Sequence, residues 1–176
     1  MSAIVVAPFS NGDIRDWQLG HFSALIGLLL DRWDGMIRVI GTRSQATRAA
    51  AIVRPYSAAR VVSLCGHLAW DDVLAEVREA ACVIGNNSGV THLSGWLGVP
   101  TVCVFSGSHQ RSEWRPIGFS AQTVSRAIGC APCHLHRSRD CPYDKACLSQ
   151  IEPEEVAKAA FSAIEQRTKK GALHDA

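Results

Sequence analysis

The sequence predicts an α/β protein: a Rossmann-like parallel sheet with helices on both faces. Three observations predict it. Short apolar runs alternate with amphipathic segments from residue 3 to residue 105. The apolar runs are near-continuous, which marks strands buried on both faces. One run ends in a polar turn, Asn86-Asn87-Ser88-Gly89, that leads straight into a helical pattern.

The elements follow in order. Residues 3–9 (AIVVAPF) form the first strand, with Pro8 marking its end. Residues 10–17 are a polar loop containing Asn11-Gly12. Residues 19–33 place Phe22, Leu25, Ile26, Leu29 and Leu30 three and four apart, which predicts a helix. Residues 36–40 are the second strand, ended by Gly41. Residues 44–53 are an Ala-rich helix stopped near Pro55. Residues 60–64 are the third strand. Residues 70–80 are a helix with Val73, Leu74 and Val77 on one face, and Asp71 and Asp72 favour its N-terminus. Residues 81–84 are the fourth strand. Residues 90–97 are a short helix stopped by Gly98 and Pro100. Residues 101–105 are the fifth strand, residues 107–114 a polar loop, and residues 121–125 a sixth strand. Residues 153–167 form an amphipathic helix with Pro153 in its first turn. The charged tail from Thr168 is expected to fray. The reading is one domain: a core over residues 1–128, a Cys-rich loop over 129–150, and a helix with its tail over 151–176.

In a parallel sheet ligands bind outside the carboxyl ends of the strands. The loops after Phe9, Ile40, Leu64, Ile84 and Phe105 share that side. A polar turn at a helix N-terminus suits an anion, because free N–H groups and the helix dipole point the same way. The plainer alternative is that Asn87 or Ser88 caps the helix.

Composition narrows the field. The net charge is +2 with both signs dispersed, which gives no case for nucleic-acid binding. A hydrophobic fraction of 47% argues against disorder. The longest apolar run, residues 24–30, is too short to span a bilayer, and no signal-peptide pattern opens the sequence. The expected compartment is therefore the cytoplasm.

Four of the seven cysteines follow the pattern Cys130-x2-Cys133-x7-Cys141-x5-Cys147. A Cys-x2-Cys knuckle with two further thiols suits a tetrahedral structural zinc. Disulfides, or four reduced thiols packed in a loop, are the alternatives. Cys65, Cys82 and Cys103 fall in or beside strands, where buried and inert thiols are expected.

Longer motifs carry a resemblance. Asn86-Asn87-Ser88-Gly89-x2-His92-Leu93, then Leu97-Gly98-Val99-Pro100-Thr101, are followed by Trp114-Arg115-Pro116-x-Gly118. Cys130-x-Pro132-Cys133, Cys141, Cys147-Leu148 and Ile151-x-Pro153-x2-Val156 come next. Pro8, Trp17, His21-Phe22 and Ala24-Leu25 stand at the front. Together these resemble glycosyltransferase family 9, the heptosyltransferase-like family of lipopolysaccharide assembly. The likeness runs in order over roughly residues 3 to 165.

The resemblance implies a GT-B fold, in which two Rossmann-like halves face each other across a cleft. The chain resembles only the C-terminal half, which holds the sugar nucleotide. It implies inverting transfer from a nucleotide-diphosphate sugar, ADP-heptose-like, with no metal required. The base is expected to be a carboxylate of an N-terminal acceptor-binding half, so the chain alone is not expected to be active. Expected partners are the sugar nucleotide and either that half or a second copy of the chain. A location in the cytoplasm or peripheral to the inner membrane follows. A stand-alone nucleotide-binding module or an interaction domain is the alternative function.

Site residues carry over position by position. The backbone amides of Ser88 and Gly89 match those that face the donor diphosphate. Asn87 stands where the family usually has Asp. His92 lies one turn into the helix, to reach a phosphate or hold the turn. Arg15 matches a basic residue that contacts the diphosphate, with a solvated loop cation as the alternative. Gln45 falls where a Glu holds the ribose hydroxyls; an ordinary helix-surface Gln is the competing reading. Leu68 falls where an apolar side chain covers the base, or else it packs in the core. Ser106-Gly107-Ser108 replaces Gly-Pro-Thr, and Ser108 is carried as a candidate. Glu113 is the one carboxylate offered as a catalytic candidate.

Overall fold

A computed structural model describes residues 2–174, and of residues 168–174 only the backbone; side chains of the expected fraying tail lie outside the described residues. Six strands form one sheet: β1 Ile4–Ala7, β2 Ile37–Val39, β3 Val61–Ser63, β4 Cys82–Asn86, β5 Thr101–Phe105 and β6 Ala121–Ser125. The order is β3-β2-β1-β4-β5-β6, and every pair is parallel. The registers Ile4↔Ile37 and Ile4↔Cys82 set β1 between β2 and β4. The sequence-based strands are all present: the first three are shorter at both ends, the fourth is Cys82–Asn86 instead of 81–84, and the last two keep their expected bounds.

The helices are α1 Leu19–Leu30, α2 Ala46–Val53, α3 Trp70–Glu79, α4 Gly89–Trp96, α5 Arg111–Trp114, α6 Ala146–Ser149 and α7 Pro153–His174. Alternation along β1 explains the two layers. Ile4 and Val6 join Phe22, Leu25, Ile26 and Leu29 of α1 and Val156, Ala160 and Phe161 of α7 in one core. Val5 and Ala7 face the other way, toward Val77 of α3 and Leu93 of α4. Each fully buried Leu, Ile or Phe contributes about 1.5–3 kcal/mol of apolar transfer free energy, so a strand apolar on both sides belongs in the centre of the sheet.

Helix boundaries differ from expectation in several places, and α7 runs on to His174 past the expected end at residue 167. α1 ends at Leu30 instead of running on to Trp33. The second helix begins as a 3-10 turn, Arg43–Gln45, because Gln45 caps Thr42 N–H at 2.8 Å. Four residues of the polar loop after β5 form α5. The stop after α4 agrees with its glycine: Gly98 has φ +72, and Gly98 N–H and Val99 N–H bond back to Gly95 O and Ser94 O at 3.1 Å each.

The chain changes direction between β1 and β4, and a crevice opens at their carboxyl ends. Close approach there depends on Gly85. A Cβ at Gly85 would stand 2.4 Å from Ala7 O. No helix among the described residues is long and apolar enough to cross a membrane.

Candidate functional site

The turn from β4 to α4 forms one wall of a cavity of about 730 Å³. Asn86 is fully buried and structural. Its Nδ2 donates to Pro8 O at 2.7 Å, and its Oδ1 accepts Trp17 N–H at 3.1 Å. Thr91 Oγ1 donates back toward Asn86 O and Ser88 O at 2.8 and 2.9 Å and accepts Ser88 N–H at 3.2 Å. Thr91, not Ser88, therefore caps the turn. Ser88 Oγ is buried with no hydrogen-bond partner among the described residues. An unsatisfied buried hydroxyl costs about 1–3 kcal/mol. Ser88 and Gly89 both line the cavity, and a Cβ on Gly89 would meet nothing within 4 Å. First-turn amides, an orphaned hydroxyl and open space in front of a glycine together make a cradle for an oxyanion.

Arg15 reaches the cavity from the loop after β1, in a 3-10 turn, Asp13–Arg15. Asp16, which sequence reading passed over, fixes that loop. Its Oδ1 accepts Ser10 N–H and Ser10 Oγ–H, each at 2.8 Å, and its Oδ2 pairs with Arg48 at 2.9 Å. The Arg48 guanidinium also lies 4.8 Å from the Phe9 ring centroid, and Phe9 lines the cavity. Arg15 itself has no carboxylate partner among the described residues, so its charge is available to an anion.

The loops after β2 and β3 form the opposite wall. Gln45 lines it, with Oε1 occupied by the Thr42 N–H. Its amide Nε2 keeps donor capacity for a hydroxyl. Leu68 is half-buried: it lines the cavity and packs on the α3–α4 core, so both readings of it hold together. Gly66 has φ +80, and a Cβ there would lie 2.7 Å from Arg43 Cα. Trp70 and Trp114, 62% and 51% exposed, complete the rim. Two exposed tryptophans facing an apolar wall suit a flat ring system.

His92 Nε2 and Asn87 Oδ1 are 2.8 Å apart, and both residues line the cavity. Burial first, and the charge of Arg15 second, hold the His92 pKa below its ordinary value of 6.5. In its neutral form the imidazole donates to Asn87 and keeps Nδ1 as an acceptor. A proton on Nδ1 turns it into a donor toward an anion.

Two candidates stand elsewhere. Ser108 is buried behind the cavity, and its Oγ lies 2.8 Å from both Ser106 Oγ and His109 Nδ1. Its hydroxyl serves that chain, and the residue is not among those lining the cavity. Glu113 is exposed on α5 and turned out of the cavity, whose rim takes its neighbour Trp114 instead. The signal for Trp70 and Trp114 was large aromatics placed just after strands; Asp16 and His109 gave none.

The cysteines divide as expected. Burial pushes Cys82 and Cys103 up to about 12 and raises Cys65 as well, so these thiols are inert. Cys147 is buried, and Cys130, Cys133 and Cys141 are half-exposed. All seven are free thiols. Burial raises the Cys147 pKa most, and Cys133, Cys141 and Cys130 add to the rise. No three His, Cys, Asp or Glu side chains are assembled as a metal-holding group among the described residues. The segment docks on the Arg15 loop. Asp13 accepts Ser138 N–H at 2.9 Å and Ser138 Oγ–H at 2.5 Å, bonds that lower its pKa. Lys145 Nζ donates to Asp16 O at 2.8 Å.

A parallel sheet in the order 3-2-1-4-5-6, with this turn at its switch point, is a Rossmann-like domain of the kind that builds GT-B glycosyltransferases. The chain belongs to glycosyltransferase family 9 (heptosyltransferase), whose description matches residues 2–146. A search of curated proteins gave no match. Among solved structures it is similar to Escherichia coli ADP-heptose LPS heptosyltransferase II (17% identity, TM-score 0.80), covering 95% of this chain and 47% of that one. A family 9 glycosyltransferase from Veillonella parvula follows at 17% identity and TM-score 0.76, covering 94% and 46%. E. coli heptosyltransferase WaaC with ADP follows at 20% identity and TM-score 0.72, covering 92% and 44%. The chain thus spans a little under half the length of these structures.

Proposed function

We propose that the chain is the donor-binding half of an inverting glycosyltransferase and takes a nucleotide-diphosphate sugar of the ADP-heptose type. The observation that carries this is Ser88 Oγ, buried and unpartnered beside the first-turn amides of α4. The family, and the ADP bound in the WaaC structure, support the same ligand class. In this reading the diphosphate lies on Ser88 and Gly89 with Arg15 across from them. The base rests between Leu68 and Trp70, and Gln45 Nε2 donates to a ribose hydroxyl. As the bond from the sugar anomeric carbon to the diphosphate breaks, charge grows on the leaving oxygen. Fixed amides and one guanidinium receive it without reorganising. The acceptor hydroxyl attacks from the opposite face, and its proton passes to a carboxylate of an acceptor-binding half. An Asn at position 87 supplies no carboxylate for that step, which favours a second reading as a binding module without transfer.

Calorimetry with ADP and with ADP-heptose tests the donor reading: micromolar binding that Ser88→Ala weakens supports it, and no binding at millimolar ligand defeats it. Transfer activity on adding a family 9 N-terminal half separates the donor half from the binding module. For Cys130, Cys133, Cys141 and Cys147 we propose one structural zinc, on the strength of the Cys-x2-Cys knuckle followed by two further thiols. We also propose that the protein works in the cytoplasm or peripheral to the inner membrane, which cell fractionation tests: recovery with periplasmic or outer-membrane material would exclude it.

A further inference from the structure

A smaller cavity of about 120 Å³ opens beside the first; Asn11, Gly12, Arg15, His109 and His136 line it together with the apolar Ile14 and Leu135. Asn11 and Arg15 line both cavities, so the two share a wall. The geometry points to a second anion subsite here, beside the donor site and sharing Arg15 with it, that takes a single phosphate group through Arg15, His109 and His136.

The cavity holds one tetrahedral oxyanion and is far too small for a nucleotide. A hydroxyl chain, Ser106 to Ser108 to His109 Nδ1, with 2.8 Å at each step, fixes the imidazole. The Trp114 ring meets it edge-on at 5.5 Å. With Nδ1 engaged, Nε2 is the nitrogen left for a ligand. Arg15 brings a guanidinium to the same cavity and His136 a second imidazole; burial first, and Arg15 second, hold the His109 pKa below its ordinary value. The nearest carboxylate of the Arg15 turn, Asp13, is turned to Ser138. A guanidinium, and an imidazole whose free nitrogen carries an N–H even in the neutral form, suit a phosphate oxygen. The phosphate has two possible sources: free phosphate, or a phosphomonoester on a sugar.

Calorimetry with inorganic phosphate, glucose 6-phosphate and glucose tests this on the intact chain at pH 6, with and without saturating ADP. The expected result is one equivalent of phosphate bound whether or not ADP is present. His109→Gln and His136→Gln should each weaken it about tenfold, with ADP affinity within twofold of wild type. Glucose 6-phosphate binding identifies a sugar-borne phosphate as the ligand, inorganic phosphate alone identifies the free ion, and glucose should not bind. Phosphate that competes one-for-one with ADP, or is insensitive to both substitutions, overturns the subsite, as does no binding at 10-millimolar scale (roughly tenfold above a millimolar Kd). His136 is exposed, so its variant serves if the His109 variant fails to fold. ADP binding is read in the same titrations, so failure of the donor site and of this subsite are told apart.

Discussion

His92 Nε2 lies 2.8 Å from Asn87 Oδ1, and this contact makes the first turn of α4 responsive to pH. Burial and Arg15 hold the His92 pKa below 6.5, and burial and the neighbouring cations do the same for His109. For both groups the unfolded chain binds the proton more readily than the folded one. Stability should therefore fall as pH drops through 6.5 and be fully present above it. Melting temperatures at pH 7.5, 6.5 and 5.5 check this. Asn87→Asp should give His92 an anionic partner, raise its pKa and reverse its part of the slope; a His92 titration by NMR that stays put in that variant would refute the contact.

Ser88→Ala separates a cap from a ligand contact. A capping serine replaced by alanine costs about 1 kcal/mol. Here Ser88 Oγ bonds nothing, and Thr91 does the capping. The variant should keep or slightly gain stability in urea unfolding, while its ADP affinity falls several-fold.

Gly89→Ala reverses the usual logic of glycine. Its Cβ would touch no protein atom within 4 Å, and the fold should tolerate it, with a gain of about 0.4–1 kcal/mol from the stiffer unfolded chain. The methyl group instead enters the space proposed for the diphosphate. ADP binding should drop by more than about tenfold at unchanged or higher stability, since a lost charge-assisted bond alone is worth that much; unchanged affinity would move the site elsewhere.

Asp16→Ala should damage fold and site together. It strips the buried partner from Ser10 and Arg48. A loss of about 2–4 kcal/mol is expected, together with weaker nucleotide binding through the loosened Arg15 turn. Arg48→Ala, which leaves the Ser10 bonds in place, should cost less.

Metal analysis after metal-replete purification should find close to one zinc per chain, lost in the Cys130→Ser, Cys133→Ser double variant. Less than about half an equivalent would exclude the structural metal. Chelation should lower thermal stability without competing with ADP, because the four thiols are not among the residues lining the cavity proposed for the nucleotide.

Most of the fold was legible because strands buried on both faces leave unbroken apolar runs, as in residues 3–9, 81–84 and 101–105. Strand order was not, since nothing in those runs says that Ile4 pairs with both Ile37 and Cys82. The place of Ser88 and Gly89 at the start of α4 was legible from residue types. Gln45 was half legible: the amide faces the cavity, yet its oxygen is spent on Thr42. Ser108 lies off the cavity lining because its loop turns the hydroxyl inward to Ser106 and His109, which residue types alone do not show. Asp16 stayed hidden because a carboxylate beside an Arg is ordinary surface sequence until the fold brings Ser10 and Arg48 to it.

The bond from Asn86 Nδ2 to Pro8 O joins residues 78 positions apart. It is the latch between the two halves of the sheet, and neither half has a complete cavity without the other. Parallel strands so far apart in the chain meet only after a long loop has closed, which makes their pairing a slow step in folding. The nascent chain therefore has no half-formed version of the site to offer. Ligand binding should emerge all at once with the central pair of strands, so recovery of ADP binding during refolding would time the closing of the sheet.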